Sequence, residues 1–349
     1  MHRENELKRV ASKPIEEIYW LRFYGALAVF TFHLIDRIEL YYLENTALDL
    51  MRIPSSLGTP IFIFISIFLF SLRYGEDVPR DFLVTRLKYI MVPYFIYGLL
   101  YSTAEYLRVS LGGAEVSYTA YLREYLLFAG WHGYFLVVAM QFYILFWVYN
   151  RFRLWEWLPA EGWLIPASLM SMAWWGYFRW YDIEPPGYLH WINPIGWIYL
   201  FFLAVLIVKV YPEIRRNRLI ARFSQPIWLV AILAYLLTMT FLHDIEYSSK
   251  EAWVIPLFTF ALLFAMPKLL GLVAPPLVRK INEASFVIYL AHPMFFSAVD
   301  FVGWNIAIPL WLYVIALVVV GMGGSIMLSH LVNRADWSAM LLGKRLRVV

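Results

Sequence analysis

An arginine and a histidine lie inside one apolar stretch near the start of the chain, YWLRFYGALAVFTFHLID at residues 19–36. Arg22 and His33 are eleven residues apart, so on an α-helix they share a face and stand about 16 Å apart along the axis. An arginine can bind an anionic group, and a histidine can act as a general base near neutral pH. The pair predicts a helix face that holds an anion at one end and accepts a proton at the other.

The residues around this pair suit a narrow passage. Gly25, Ala26 and Val29 fall on the same face, between the cation and the imidazole. Asp36 follows the imidazole by one turn and can fix the tautomer of its ring, as acids do in other histidine-centred sites. The face therefore predicts the lining of a channel for a long, thin molecule with an anionic head.

Each residue also has a purely structural interpretation. Arg22 can extend its guanidinium to the lipid headgroups, and His33 can make a hydrogen bond between helices. Taken alone, Arg22 favours the structural interpretation, whereas the pair with small residues between favours the functional one. For Asp36, a simple position at the membrane edge is an equal alternative.

The composition indicates an integral membrane protein. Hydrophobic residues make up 62% of the 349 residues. Charged residues make up only 15%, compared with roughly 25% in ordinary globular domains. Most of this apolar surface must face lipid or other membrane helices. The absence of cysteine excludes disulfides, thiolate metal sites and an acyl-cysteine intermediate.

Ten apolar runs separated by short loops predict an all-α, polytopic bundle of about ten transmembrane helices. The runs cover approximately residues 18–40, 57–73, 89–108, 131–150, 162–179, 194–211, 226–243, 252–268, 284–303 and 308–332. The segment before the first run is too long and acidic for a signal peptide, so that run is expected to remain as a span.

The distribution of the 29 Lys and Arg residues predicts the orientation. One side of the membrane holds only Arg37, Arg52, Arg108, Arg123, Arg179 and Lys250. The excess on the other side predicts a plasma-membrane protein with both termini in the cytoplasm. The predicted organisation is a cytoplasmic segment at 1–17, a helical membrane domain at 18–332 and a basic cytoplasmic tail at 333–349.

Four further segments complete an ordered set of motifs: GTPIFIFISIFLFSLRYG (58–75), DFLVTRLKYIMVPYF (81–95), WHGYFLVVAMQFYILFWV (131–148) and INEASFVIYLAHPMFF (281–296). Together with the R-x10-H spacing of the first span, they resemble the integral-membrane acyltransferase family 3. Two positions depart from the family pattern, because Ile67 replaces a frequent glycine and Ile90 replaces a second arginine. Both changes look typical of the branch that serves the poly-N-acetylglucosamine intercellular adhesin, described as an exporter and as an O-succinyltransferase.

The resemblance implies an enzyme that moves an acetyl or succinyl group from cytoplasmic acyl-CoA to a hydroxyl of an exopolysaccharide of biofilms. His33 would be the general base, with Asp36 beside it. Binding of acyl-CoA would fall to Arg22, Arg86, Lys88 and Arg73. The pocket would be formed by Gly25, Ala26, Val29, Ser66, Gln141, Tyr143, Tyr289 and His292. No metal or bound cofactor is expected, since acyl-CoA is a co-substrate.

Several of these roles have structural alternatives. Arg73 fits ordinary positive-inside anchoring, and Gln141 and Tyr143 fit contacts between helices. Tyr289 and His292 can simply pack between helices, while Ser285 is expected to bond the backbone. Clustered tryptophans fit an interfacial belt better than a sugar platform: Trp174, Trp175, Trp180, Trp191 and Trp197.

Two other functions remain open. An exporter of the polysaccharide or of a lipid-linked sugar would need a wide polar path, and charged residues within the other spans are few. A non-catalytic partner in a polysaccharide synthase complex is the third alternative. The expected partners are the lipid bilayer, acyl-CoA and a polysaccharide, and no nucleic acid. A succinyl carboxylate would need an extra cation near His33, and Arg37 or Arg52 could supply it.

Overall fold

The computed structural model describes residues 15–42, 46–75, 77–181, 188–216, 272–303, 308–334 and 338–341, together with Ala234. All the secondary structure in these residues is helical, and no strand occurs among them. The all-α prediction is confirmed.

Thirteen α-helices are named here in chain order: α1 (Glu16–Tyr41), α2 (Thr46–Ser55), α3 (Gly58–Tyr74), α4 (Phe82–Arg86), α5 (Val92–Leu111), α6 (Tyr118–Leu126), α7 (Tyr134–Arg151), α8 (Ala160–Tyr181), α9 (Leu189–Ile192), α10 (Ile198–Arg216), α11 (Pro276–Gly303), α12 (Leu310–Val332) and α13 (Ser338–Leu341). Short 3₁₀ turns cover Leu154–Glu156 and Pro194–Trp197, and a π-helical turn covers Leu87–Met91.

Within the described residues, five helical stretches are long and apolar enough to cross a membrane: Glu16–Tyr41, Phe82–Leu111, Pro194–Ile214, Pro276–Gly303 and Leu310–Val332. The apolar helix α3 is shorter, and α7 and α8 coincide with two more of the predicted spans. Helices therefore stand at eight of the ten predicted positions. The predicted spans 226–243 and 252–268 lie outside the described residues.

The helix α11 begins well before the predicted start at residue 284. Pro276 stands in its first turn, where a missing N–H costs nothing and the fixed φ angle suits a helix. The basic residues Arg279 and Lys280 are therefore helical, although they interrupt the apolar pattern that set the predicted limit.

The π-helical turn links α4 to α5 without a break in the helix. Pro93 lies in the first turn of α5, just after this π turn. A proline cannot donate a backbone hydrogen bond and its ring clashes with the carbonyl four residues earlier in a regular α-helix. The wider turn relieves that conflict and keeps Phe82–Leu111 continuous.

The described residues fall into two compact units. The first comprises those up to Pro79, those from Phe146 to the end of α8, and those from Ile195 to Ser285. The second comprises those from Arg80 to Leu145, those from Tyr188 to Pro194, and those from Phe286 onwards. Helix α11 thus contributes its first turns to one unit and its remaining turns to the other.

Aromatic packing forms the core of the first unit. The rings of Phe68 in α3 and Tyr211 in α10 meet edge to face at 5.4 Å. Trp175 in α8 donates from Nε1 to the carbonyl of Gly196 at 2.9 Å and contacts the ring of Trp197. Trp175 and Trp197 are fully buried, so core packing accounts for these two tryptophans.

Candidate active site

The imidazole of His33 lies one turn from the carboxylate of Asp36 on α1. The Nδ1 atom of His33 is 3.3 Å from Oδ2 of Asp36, and the ring of Phe32 meets the imidazole edge to face at 5.6 Å. A carboxylate only accepts hydrogen bonds, so Nδ1 carries the proton in this contact. In the neutral ring, Nε2 then holds the lone pair that a general base uses. The predicted pairing of His33 with Asp36 is present in the structure.

Arg52, on the short helix α2, holds the other side of this carboxylate. Its NH1 group donates to Oδ1 of Asp36 at 2.7 Å, and its NH2 group donates to Oε2 of Glu39. The guanidinium also lies over the ring of Phe32, 5.2 Å from its centroid. The arrangement is a continuous chain of contacts from an imidazole through a carboxylate to a guanidinium and a second carboxylate.

At the other end of α1, Arg22 is held by a residue of α11. Its NH1 group donates to Oδ1 of Asn282 at 3.1 Å, and Nδ2 of Asn282 donates to the carbonyl of Tyr19 at 2.8 Å. Asn282 is only 2% exposed. This partner is a neutral amide, so the contact positions the guanidinium without opposing its charge.

A second arginine lies close to the same end of α1. Arg279 in α11 donates to Oε1 of Glu16 at 2.5 Å and lies over the ring of Tyr19, 4.9 Å from its centroid. The remaining oxygen of Glu16 accepts from the backbone N–H of Ala274 at 2.7 Å. One salt bridge and several amide hydrogen bonds therefore fix the N-terminal turns of α1 against α11 and the residues just before it.

Two of the small residues between Arg22 and His33, Gly25 and Val29, face α3. A Cβ atom at Gly25 would lie 3.2 Å from the side chain of Ile61, and one at Gly58 would lie 2.3 Å from Cγ2 of Val29. Ala26 is buried as well. Close packing of α1 on α3 accounts for the small side chain at Gly25, and the lining role predicted for these residues stays a prediction.

The other predicted cations lie in the last turn of α3 and near the π-helical turn. Arg73, exposed in the last turn of α3, lies over the ring of Tyr74. Arg86 ends α4 and is half-buried over the ring of Phe82, while the exposed Lys88 lies in the π turn. Arg73 belongs to the first unit, and the other two cations to the second. A shared binding site for them stays a prediction.

In the second unit, Tyr289 and His292 meet a histidine that sequence reasoning did not select. The hydroxyl of Tyr289 donates to the carbonyl of His132, and the two rings meet at 5.6 Å. His292 is 0% exposed, and its ring lies 5.7 Å from that of His132. Its Nδ1 donates to the carbonyl of Ile288 at 2.7 Å. His132 directly follows the tryptophan that opens the fourth predicted span. Its place in that motif is the feature of the sequence that could have marked it as a candidate site residue.

The remaining predicted pocket residues lie in helices of both units. Ser66 is half-buried in α3, and Tyr143 is buried in α7. The Oε1 atom of Gln141 is buried with no hydrogen-bond partner among the described residues. Ser285 donates to the carbonyl of Asn282 at 2.8 Å, which confirms the backbone bond predicted for it.

The contacts around His33 have the order that acid–base catalysis needs. An imidazole contacts an orienting carboxylate, and that carboxylate is itself fixed by another group. The side chains of His33 and Asp36 are 27% and 39% exposed, so neither is sealed inside the protein. Arg22 lies on the same helix face, and its role as the cation for an anionic part of a substrate stays a prediction.

Comparison with known proteins identifies the family. The model of the acyltransferase domain, acyltransferase family 3, matches residues 15–330. The chain belongs to this family. The match spans α1 through most of α12, so it covers both compact units and every predicted site residue. The chain is thus a multi-pass membrane protein of an acyltransferase family.

Relatives named for two different activities are similar over most of the chain. "Putative membrane-bound acyltransferase YfiQ" of Bacillus subtilis (strain 168) is 29% identical over 95% of this chain and 94% of its own length. "Probable poly-beta-1,6-N-acetyl-D-glucosamine export protein" of Staphylococcus aureus (strain MRSA252) is 28% identical over 80% of this chain and 81% of its own. The protein of that name from Staphylococcus epidermidis is 26% identical. No solved structure matches the chain significantly.

Proposed function

We propose that the protein is a membrane O-acyltransferase that moves a short acyl group from acyl-CoA to a hydroxyl of an exopolysaccharide. The observation that carries the proposal is the contact between His33 and Asp36, on the helix that also holds Arg22. The acyltransferase family supports the reaction class. The names of the staphylococcal relatives support a β-1,6-linked N-acetylglucosamine polymer as the acceptor.

Arg22 is the cation that we assign to the phosphates of coenzyme A. It can bind them in bidentate fashion, and its contact with the neutral amide of Asn282 adds no opposing charge. The pantetheine arm is long and thin, and we place it along α1 toward His33. With cytoplasmic termini, this arrangement keeps the nucleotide inside the cell and delivers the thioester toward the outer leaflet. The roles of Arg73, Arg86 and Lys88 stay predictions from the resemblance.

At His33 the reaction needs one proton acceptor. The acceptor hydroxyl gives its proton to Nε2 while its oxygen bonds to the thioester carbonyl carbon. The carbon–sulfur bond then breaks, and the coenzyme A thiolate leaves and takes the proton from the imidazolium. Asp36, through its contact with Nδ1, stabilises the imidazolium between these two steps. The products are an ester on the sugar and free coenzyme A.

The substitution His33→Ala tests the proposal. We expect the polymer still to appear at the cell surface but to lose its ester groups, because a general base typically contributes about 100-fold or more in rate. Mass spectrometry of the surface polysaccharide measures both quantities. His330→Ala is the matched control, since His330 is an exposed histidine of α12 that donates to the carbonyl of Ile326.

Export is the second candidate function, favoured by the names of the staphylococcal relatives. Under export, His33→Ala would abolish secretion while any polymer outside kept its esters, and that outcome would overturn the acyltransferase proposal. A non-catalytic role in a synthase complex predicts no release of coenzyme A by the purified chain. A thiol-reactive dye measures that release directly, because the chain contains no cysteine.

A further inference from the structure

We propose that Arg52 is a positioning residue for His33, acting through Asp36. This inference rests on the proposed function and assigns a part of it to α2, the short helix between α1 and α3. Arg52 contacts Asp36 with one guanidinium nitrogen and Glu39 with the other. Asp36 in turn contacts the imidazole of His33, so the carboxylate connects the guanidinium to the imidazole.

The spacing of α1 creates the position that Arg52 fills. His33, Asp36 and Glu39 follow one another at intervals of three residues, so they lie on one face of the helix. Two carboxylates at this spacing repel each other, and a planar guanidinium fork can bridge both. The ring of Phe32 supports the guanidinium from below. Lysine, a point charge, cannot reproduce this bridge.

The guanidinium of this bridge is more shielded from water than that of an ordinary surface pair, although Asp36 itself is 39% exposed. The Arg52 side chain is 12% exposed and that of Glu39 is 18% exposed, so water screens their attraction only in part. The pair of Arg108 and Glu105 in α5 provides a contrast, because the Arg108 side chain is 57% exposed. A partly buried ion pair can hold Asp36 in one rotamer, whereas an exposed ion pair contributes little to fixing a side chain.

The consequence for catalysis is orientation and charge balance. With Oδ1 of Asp36 held by Arg52, Oδ2 faces Nδ1 of His33 and the ring keeps Nε2 for the acceptor. Arg52 also balances one of the two carboxylates. One negative charge then remains to face the imidazolium that forms when His33 takes a proton. Without the guanidinium, Asp36 is drawn toward water and the imidazole loses its fixed tautomer.

The test compares Arg52→Gln with Arg108→Gln in the full-length protein reconstituted in lipid vesicles. The assay supplies acetyl-CoA and, in parallel, succinyl-CoA, with a short β-1,6-linked N-acetylglucosamine oligosaccharide as acceptor, and measures coenzyme A with a thiol-reactive dye. We expect Arg52→Gln to lower kcat at least tenfold and to change KM for the acyl-CoA less than twofold. Arg108→Gln should match the wild type. Equal kcat values for the two variants would overturn the inference.

A double variant separates positioning from a general loss of stability. If Arg52 acts through Asp36, then Asp36→Asn combined with Arg52→Gln should be no slower than Asp36→Asn alone. Losses that multiply would contradict the inference. Glu39→Gln keeps the contact between Arg52 and Asp36, so it should lose less kcat than Arg52→Gln. An equal loss would show that Arg52 only ties α2 to α1.

Two further variants keep the result interpretable. If Arg52→Gln does not fold, Arg52→Lys retains the charge without the bridge, and we expect a kcat between those of the wild type and Asp36→Asn. A wild-type kcat for Arg52→Lys would contradict the inference. His33→Ala and the wild type are measured in the same vesicles. If the wild-type protein releases no coenzyme A, the proposed function fails. If the wild type is active, His33→Ala is impaired and Arg52→Gln has the wild-type kcat, the inference about Arg52 fails and the proposed function stands.

Discussion

Asn282 joins α11 to α1 through hydrogen bonds to Arg22 and to the carbonyl of Tyr19. Its neutrality is important, because an arginine that is to bind phosphates must keep its charge available to them. An aspartate at the same position would hold the guanidinium equally well and oppose its charge. Substitutions at Asn282 can therefore test two properties of Arg22 separately, its position and the availability of its charge.

We expect Asn282→Ala to raise KM for acetyl-CoA several-fold with little change in kcat, because Arg22 loses its positioning contact. Asn282→Asp should raise KM further, since its carboxylate competes with the phosphates for the guanidinium. The measurement is steady-state kinetics in lipid vesicles. Asn150→Ala is the control, because Asn150 donates to the carbonyl of Phe146 within its own helix. A lower KM in Asn282→Asp would refute the role given to Arg22.

The sequence was sufficient for the residues whose relation is local to one helix. Arg22, His33 and Asp36 lie on α1, so helical geometry predicts that they share a face. Arg52 and Asn282 could not be selected in this way. Their contacts with α1 depend on how α2 and α11 pack against it, and Asn282 is 260 residues away from Arg22 along the chain.

At the scale of helices, the contact between α1 and α3 depends on a glycine. At Gly58, a Cβ atom would lie 2.3 Å from Cγ2 of Val29 and 3.2 Å from the carbonyl oxygen of Gly25. Real Cβ atoms do not come as close as 2.3 Å to other atoms, so an alanine there requires the side chain of Val29 to shift or the two helices to separate. Helices α1 and α3 form the two sides of this interface, and α1 also carries His33, the candidate base.

We expect Gly58→Ala to destabilise the protein by about 1–3 kcal/mol, the usual cost of overpacking a close contact. Thermal unfolding of the purified protein in detergent measures the loss. Gly323→Ala in α12 is the control, because no atom lies within 4 Å of a Cβ built there. Its unfolding temperature should stay the same or rise, since alanine favours a helix over glycine. A similar loss in both variants would show that the packing at Gly58 is not the cause.

Apolar runs were enough to predict the eight longer helices among the described residues, but not where each one ends. Helix α11 starts earlier than its apolar run because Pro276 begins it, and the turn at Leu87–Met91 is π-helical because Pro93 follows. The short helix α2 was not predicted, since its ten residues fall in a loop between two apolar runs. Its importance comes from Arg52, which only the folded chain brings to Asp36.

At the scale of the whole molecule, charge distribution predicts which loops face the cytoplasm. Asp77, in the loop after α3, is predicted to lie on the side rich in Lys and Arg, and Glu115, in the loop after α5, is predicted to lie on the opposite side. Both side chains are exposed in the structure. Because the chain has no cysteine, a single cysteine at either position is the only thiol that a reagent can label.

We expect a membrane-impermeant maleimide to label Glu115→Cys in intact cells and to label Asp77→Cys only after the cells are permeabilised. The physical reason is the cost of moving basic loops across the membrane during insertion. Gel shift of the labelled protein provides the measurement. Labelling of Asp77→Cys in intact cells would show that the topology is the reverse of the predicted one. Coenzyme A could then not reach Arg22 from the cytoplasm.

The π-helical turn at Leu87–Met91 affects how experiments on this helix should be interpreted. Its hydrogen bonds span one residue more than those of an α-helix, and one residue corresponds to a rotation of about 100°. A helical wheel drawn without interruption through Phe82–Leu111 therefore assigns α5 side chains to the wrong directions relative to α4. Scanning mutagenesis of this segment should show two periodic patterns offset in phase, with the change occurring just before Pro93.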